Sequence, residues 1–261
     1  MTPTLTLTLV AAVTLVVVVA GATNGLAGFG FAVVGTMALA TVIDPATAVV
    51  FMIVPILAVN VSLVRDLSSE ELRTCSRRFW PLIAAALVGT VVGMAALDSV
   101  PEAPLRVGLG LLSLGFVLTA QRRFPLPPWL AVGDSDAGRT PLSMAGVGAV
   151  SGLLFGGTNV GVQLIAYLRS FDLSHGLFVG VVALVFLGLN GIRVILAAAL
   201  GLYPSATVAG ASVVAVVPAV AGVAIGKRLR SAVGERPRRV LVLGLLTLVG
   251  VRLVTGGLGI A

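Results

Sequence analysis

Two glycine-rich stretches place polar residues inside long apolar runs of this chain. The first reads GATNGLAGFGF over residues 21–31, and the second reads SGLLFGGTNVGVQ over residues 151–163. Glycine costs roughly 1 kcal/mol relative to alanine within a helix, so several glycines beside Asn and Thr predict that a helix is interrupted there. A helix that begins at such a break exposes backbone N–H groups and the positive end of its dipole. Both features bind oxyanions, and the chemistry predicted at the breaks is anion binding.

The candidate substrate-binding residues are the glycines and polar side chains of both breaks, together with polar residues in the apolar runs that follow or extend them. They are Asn24, Gly25, Gly28, Gly30 and Asn60 in the first half, and Gly156, Gly157, Thr158, Asn159, Gln163, Asn190 and Arg193 in the second. The alternative for each glycine is close helix packing, and for each amide it is an interhelical hydrogen bond. Because packing needs neither Asn nor Thr, we favour a binding site for the two breaks taken together.

Arg193 is the most informative charged residue. It follows Asn190 by three positions, so both side chains share one face of a helix. Residues 176–192 carry no charge, which predicts that Arg193 lies within the bilayer, where an ionised residue is by default a functional hypothesis. A guanidinium matches planar and tetrahedral oxyanions by bidentate hydrogen bonding. The alternative is that the long side chain reaches a membrane surface.

The composition is that of a membrane protein. Of the 261 residues, 58% are hydrophobic and 10% are charged, and the mean hydropathy is +1.12, whereas a soluble domain carries about 25% charged residues. We therefore predict an all-α polytopic protein of the cell membrane. Residues 1–43 carry no charge, so the first apolar run lacks the basic region of a signal peptide and is expected to be retained.

The charged and metal-binding residues exclude several classes of function. The net charge of +7 comes from short basic blocks between apolar runs, which is typical of cytoplasmic loops that contact anionic lipid rather than of a nucleic-acid surface. Cys75 and His175 are the only residues of their kinds, so neither paired-thiol chemistry nor a multi-histidine metal site is possible. No acid, base or nucleophile set and no P-loop can be assembled. We expect neither an enzyme nor a cofactor.

The apolar runs predict about eight membrane segments, since a spanning helix needs about 20 residues. The runs cover residues 5–43, 46–64, 79–97, 105–121, 142–168, 176–200, 205–226 and 240–260. The two runs that contain the glycine stretches are expected to form either two arms or a hairpin. Pro81 is placed in a first helical turn, where proline is tolerated. Asp44 and Asp172 are expected to cap helices, with proton coupling as the less common alternative.

The segments form two halves of the same plan. Residues 1–121 are predicted to be the first repeat, 122–141 a proline-rich cytoplasmic linker, and 142–261 the second repeat. An offset of 127 positions pairs Gly25 with Gly152 and Gly30 with Gly157. When the most basic loops are placed in the cytoplasm, both broken runs enter and leave on one side, and the halves run in opposite directions. This is the inverted repeat of many secondary transporters, whose sites lie near the midplane where broken helices meet.

These features resemble the TauE/SafE family of membrane proteins, over about residues 5–258. The residues that carry the resemblance are the break at 24–30, the break at 151–159 and the four-plus-four plan. Typical members have a Gly-Gly-Gly-like run followed by a proline in the next arm. This chain instead has Phe29, Phe31 and Thr36 around the first break, and no proline follows until Pro45. The resemblance implies transport of a small sulfur-containing or carbon-containing anion.

Together the residues and the resemblance predict a secondary transporter, an exporter or facilitator, of sulfite, organosulfonates or related carboxylates. It would work by alternating access around the two breaks. The expected partners are the anion, membrane lipid and a second copy of the chain in a homodimer, with no nucleic acid. A membrane scaffold and a passive anion channel remain as alternatives. If only one break binds the anion, we expect the second, because it is richer in polar groups.

Overall fold

The computed structural model describes residues 7–27, 30–64, 69–97, 99–120, 140–169, 171 and 175–260. Within these residues the chain is all-helical, without a β-strand, which confirms the all-α part of the predicted fold. The helices are α1 (Leu7–Ala27), α2 (Phe31–Leu39), α3 (Pro45–Val64), α4 (Ser69–Leu97), α5 (Glu102–Ala120), α6 (Pro141–Thr158), α7 (Val162–Arg169), α8 (His175–Ala199), α9 (Ala206–Val214), α10 (Val216–Leu229) and α11 (Glu235–Gly257). Almost all of the predicted linker, residues 122–141, lies outside the described residues.

Five helical segments of the described part of the chain are long and apolar enough to cross a membrane. They are Leu7–Leu26, Arg77–Leu97, Pro141–Thr158, Ala206–Leu229 and Arg236–Gly257. Both broken runs are interrupted as predicted, but their arms are unequal. α1 has 21 residues and α2 has 9, which correspond to about 31 Å and 14 Å of helix. Only the first arm of that run is therefore long enough to span.

Two helix starts were placed too late by hydropathy. α4 begins at Ser69 and α11 begins at Glu235, whereas the apolar runs begin at residues 79 and 240. Pro81 consequently lies inside α4, and its prediction as a first-turn residue is wrong. The physical reason is that hydropathy marks where side chains enter hydrocarbon, while the backbone hydrogen bonds of a helix continue through charged turns outside it.

Local side-chain chemistry sets several helix ends. The Thr47 backbone N donates to Asp44 Oδ2 at 2.7 Å at the start of α3, which confirms the predicted cap. The Ser205 hydroxyl caps α9 in the same way. Asp172, the other predicted cap, lies outside the described residues. Pro218 has no N–H for the carbonyl of Val214, and the helix is interrupted at that point, between α9 and α10.

The chain divides into two compact units, and each draws helices from both halves of the sequence. Unit 1 comprises residues 1–59, 100–121 and 201–261. Here α1 and α10 run parallel and pack through glycines, so that a β-carbon at Gly25 would lie 2.6 Å from the backbone N of Lys227. α5 and α11 cross antiparallel, and the Ser113 hydroxyl donates to the carbonyl of Leu246 at 2.8 Å.

Unit 2 comprises residues 60–99 and 122–200. α4 and α6 run parallel in close contact, and a β-carbon at Gly156 would lie 2.5 Å from the carbonyl oxygen of Thr90. The Thr90 hydroxyl donates to the carbonyl of Gly152 at 3.2 Å. The core of this unit is built from buried apolar side chains of α4, α6, α7 and α8, including Phe79, Leu82, Phe155, Leu164 and Leu189.

Gly25 and Gly156 make the same contacts in their respective units. A β-carbon at either glycine would meet the carbonyl oxygen of one residue on the partner helix, the backbone N four residues later and the Cα of the glycine between them. These positions differ by 131 residues, since 156 − 25 = 131. Gly21 makes this set of contacts as well, with Ala219, Val223 and Gly222 of α10. The offset of 127 that pairs Gly25 with Gly152 therefore stays a prediction.

Candidate anion-binding site

The second break is a tight turn between α6 and α7. Asn159 ends α6 in the left-handed conformation, with φ of 61°, and it is the one non-glycine residue of the described chain with positive φ. Asparagine visits this region more readily than most residues, and its backbone N donates to the carbonyl of Phe155 at 3.0 Å. Three residues later α7 begins at Val162. The end of α6 therefore depends on the left-handed conformation of Asn159.

The hydroxyl of Thr158 closes the same turn. It donates to the carbonyl of Leu154 and accepts from the backbone N of Val160 at 3.2 Å. The Thr158 side chain therefore connects the last turn of α6 to Val160, the residue that follows Asn159. Gly157, beside it, lies in ordinary contact with α4, since its β-carbon would be 3.5 Å from the carbonyl oxygen of Gly93.

Arg193 reaches this break from α8 with a fully buried side chain. Its Nη2 donates to the carbonyl of Gly156 at 3.3 Å, and its Nη1 donates to Oδ1 of Asn190 at 3.3 Å. The guanidinium carbon lies 4.8 Å from the centroid of the Phe155 ring, a cation–π distance. Complete burial within unit 2 excludes the alternative in which the side chain extends to a surface of the chain.

The charge of Arg193 complements the end of α6. The last carbonyls of a helix have no intrahelical donor and carry the negative end of its dipole. Gly156 supplies one of these carbonyls, so Arg193 stabilises the end of the first arm. Gly156 and Asn190 are electrically neutral partners of this guanidinium.

Asn190 holds Arg193 in place. Its Nδ2 donates to the carbonyl of Phe186 one turn earlier in α8 at 2.8 Å, which leaves its Oδ1 to accept from Arg193. The side chain is fully buried. The i, i+3 spacing predicted that both residues share one face, and this prediction is confirmed.

Gln163 lies in the first turn of α7 and is partly buried. Its Oε1 is buried and, among the described residues, has no hydrogen-bond partner. Asn60 is half-buried near the end of α3. Among the predicted site residues, Gly156, Asn190 and Arg193 are joined by hydrogen bonds into one cluster. Thr158 and Asn159 follow Gly156 directly in the chain.

The first break is built differently. Gly30 precedes α2 with φ of 102°, a conformation that favours glycine, and Gly28 lies outside the described residues. Asn24 is half-buried in the last turn of α1, and Gly25 is in direct backbone contact with α10. In the structure Gly25 therefore serves close helix packing, which was the alternative to substrate binding.

Sequence reasoning missed Arg238. Its Nη1 donates to the carbonyl of Leu26 at 3.1 Å, and its Nε donates to the carbonyl of Gly234 at 3.3 Å. The available signal was general: an interrupted helix needs donors for its last carbonyls, and residues 227–239 are the most arginine-rich segment. Each break therefore has an arginine on the end of its first arm, Arg193 fully buried and Arg238 partly exposed.

The comparisons with known proteins give one match. No curated protein and no solved structure matches the chain significantly. A family model described as sulfite exporter TauE/SafE matches residues 13–253 of the 261, a range that includes both breaks and Arg193. The chain therefore belongs to the sulfite exporter TauE/SafE family and is a multi-pass membrane transport protein, as the resemblance in its sequence predicted.

Proposed function

We propose that this chain is a secondary transporter of small anions such as sulfite, organosulfonates or related carboxylates, and that the second break holds the anion. The observation that carries the proposal is the fully buried guanidinium of Arg193 at the end of α6. An ionised residue buried inside a membrane protein is by default a functional hypothesis. A guanidinium matches planar and tetrahedral oxyanions by bidentate hydrogen bonding.

The rest of the break favours the same ligand. α7 starts within four residues of the end of α6, so the positive end of its dipole adds to the charge of Arg193. Gln163 in the first turn of α7 has an amide that could reach a ligand, and its buried Oε1 has no partner among the described residues. That acceptor would suit the hydroxyl of a protonated oxyanion such as bisulfite.

The transport cycle we propose is alternating access in an inverted repeat of about eight segments, with the two short arms α2 and α7 as the moving elements. Two observations support it. The equivalent glycine contacts recur in both units, and α5 and α11 cross antiparallel, with Gly110 and Gly250 facing each other. An antiparallel crossing is what two equivalent helices make on a two-fold axis in the membrane plane.

The driving force need not be a coupled proton. No carboxylate lies deep within an apolar run, and export of an anion from a negative interior releases about 2.3 kcal/mol per charge per 100 mV. We therefore propose export or facilitated efflux driven by the membrane potential and the anion gradient.

The experiment is uptake and counterflow of labelled sulfite, a small sulfonate and a small carboxylate in proteoliposomes. The proposal predicts saturable flux of at least one of them, and acceleration when the same unlabelled anion is present on the opposite side. Absence of flux of every anion by folded protein would contradict transport. Linear flux without counterflow would instead support the channel alternative.

The scaffold alternative is weakened by one observation. Gly25 and Gly156, which would offer close-packing faces to another subunit, are already in backbone contact with α10 and α4 of the same chain. The scaffold reading predicts that Gly157→Leu disrupts a complex and leaves anion flux unaffected, and the same proteoliposome assay tests that.

A further inference from the structure

The turn between α10 and α11 is strongly basic and lies at the ends of two membrane-spanning segments. Five of its described side chains are cationic, and we call them the basic turn: Lys227, Arg228, Arg230, Arg236 and Arg238. All are exposed except Arg238, which is partly buried. Residues 227–239 contain six basic residues and a single acidic one, Glu235.

The position of the basic turn brings its side chains close to lipid phosphates. Six residues, 230–235, lie between the spans Ala206–Leu229 and Arg236–Gly257. A connection this short keeps every side chain of the turn close to the hydrocarbon boundary, where lipid phosphates lie. Clusters of Lys and Arg beside a span attract anionic headgroups and lose the attraction within about a Debye length of the surface.

Arg238 connects this surface to the first break. Its guanidinium bridges the Gly234 carbonyl at the start of α11 and the Leu26 carbonyl at the end of α1. On the other side of the turn, Lys227 lies against Gly25, where the two backbones are in direct contact. The last turn of α1 is therefore held between both basic ends of the turn.

We propose that the basic turn is a binding site for the phosphate of an anionic phospholipid, and that the bound lipid immobilises the end of α1 through Arg238. The lipid phosphate holds the Arg238 guanidinium at the membrane surface, and Nη1 of that guanidinium continues to donate to the Leu26 carbonyl. This inference goes beyond the proposed transport of anions and does not depend on it.

Thermal unfolding of the purified full chain in detergent tests the binding. Phosphatidylglycerol is expected to raise the midpoint by about 2–4 °C, while phosphatidylcholine and inorganic phosphate leave it unchanged. Arg238→Gln should lose most of the rise. The matched control is Arg252→Gln, which removes an exposed charge near the other end of α11 and should keep it.

Hydrogen exchange of the α1 end tests the connection. Phosphatidylglycerol should slow exchange at residues 24–27 in the native chain and in Arg252→Gln, and should not do so in Arg238→Gln. If Arg238→Gln does not fold, Arg238→Lys replaces it, and it should keep the rise in midpoint and lose the slowed exchange. An equal effect of phosphatidylcholine or of free phosphate would overturn the proposal. So would a full rise in midpoint in Arg238→Gln, or slowed exchange at residues 24–27 in either Arg238 variant.

Discussion

Arg193 donates from Nη2 to the carbonyl of Gly156 across 3.3 Å, and this bond joins α8 to the last turn of α6. The same guanidinium lies over the Phe155 ring, and its hydrogen bond to Oδ1 of Asn190 holds it in this orientation. A single buried cation thus completes a helix end and brings positive charge to the second break. Its structural role and its proposed role in transport can be separated by substitution.

Replacing Arg193 by Met tests the structural role. The variant keeps an unbranched side chain and removes the donor to Gly156, which leaves a buried carbonyl without that partner at a cost of about 1–3 kcal/mol. We expect a lower midpoint of thermal unfolding. Arg193→Lys retains a donor and a charge and should lose less stability, so equal midpoints for the native chain and the Met variant would contradict the helix-end role.

Replacing Asn190 by Asp tests whether the charge of Arg193 matters for the ligand. A carboxylate at this position would pair with the guanidinium and neutralise it. We expect the KM for anion flux to rise at least about tenfold, which corresponds to about 1.4 kcal/mol, with the protein still folded. Thr140→Asp, which adds a carboxylate at the cap of the opposite end of α6, is the control and should leave the KM within about twofold of the native value.

Asn159 should tolerate glycine and resist alanine. Its φ of 61° lies in the left-handed region, where a β-carbon costs roughly 1–2 kcal/mol and glycine pays no such cost. We expect Asn159→Gly to be close to native stability and Asn159→Ala to be less stable than Asn159→Gly by about 1 kcal/mol. The measurement is chemical or thermal unfolding of both variants, and the reverse order would show that the turn is not strained.

Two adjacent glycines of α6 should differ sharply. A β-carbon at Gly156 would lie 2.5 Å from the Thr90 carbonyl oxygen, whereas one at Gly157 would lie 3.5 Å from that of Gly93. Gly156→Ala should therefore force α4 and α6 apart and cost about 1–3 kcal/mol, and Gly157→Ala should be nearly neutral. Comparable losses in the two variants, measured by thermal unfolding, would be inconsistent with the described contact.

The all-helical class and both breaks followed from composition and glycine placement, because apolar runs and clustered glycines act locally. The residue-by-residue alignment of the two halves could not be derived in this way. Gly25 pairs equally well with Gly152 or Gly156 in the sequence, and both Gly21 and Gly25 make the set of contacts with α10 that Gly156 makes with α4. A glycine every four residues leaves the alignment ambiguous by one turn.

Part of the candidate site could also be predicted from the sequence. The spacing of Asn190 and Arg193 placed them on one face, and the absence of nearby charge predicted that Arg193 lies within the bilayer. Arg238 could not be found in this way, because its partner Leu26 is distant in sequence and contributes a backbone carbonyl. The sequence records side chains, and a bond to a main-chain atom leaves no signal in the partner's residue type.

Equilibrium binding of labelled sulfite to the purified chain tests the central claim most directly. The native protein should bind sulfite saturably, Arg193→Lys should bind it more weakly because a point charge replaces the bidentate guanidinium, and folded Arg193→Met should not bind it measurably. Arg252→Gln, which removes an exposed charge of α11, should bind as the native chain does. Native affinity in folded Arg193→Met would contradict the assignment of the second break as the anion site.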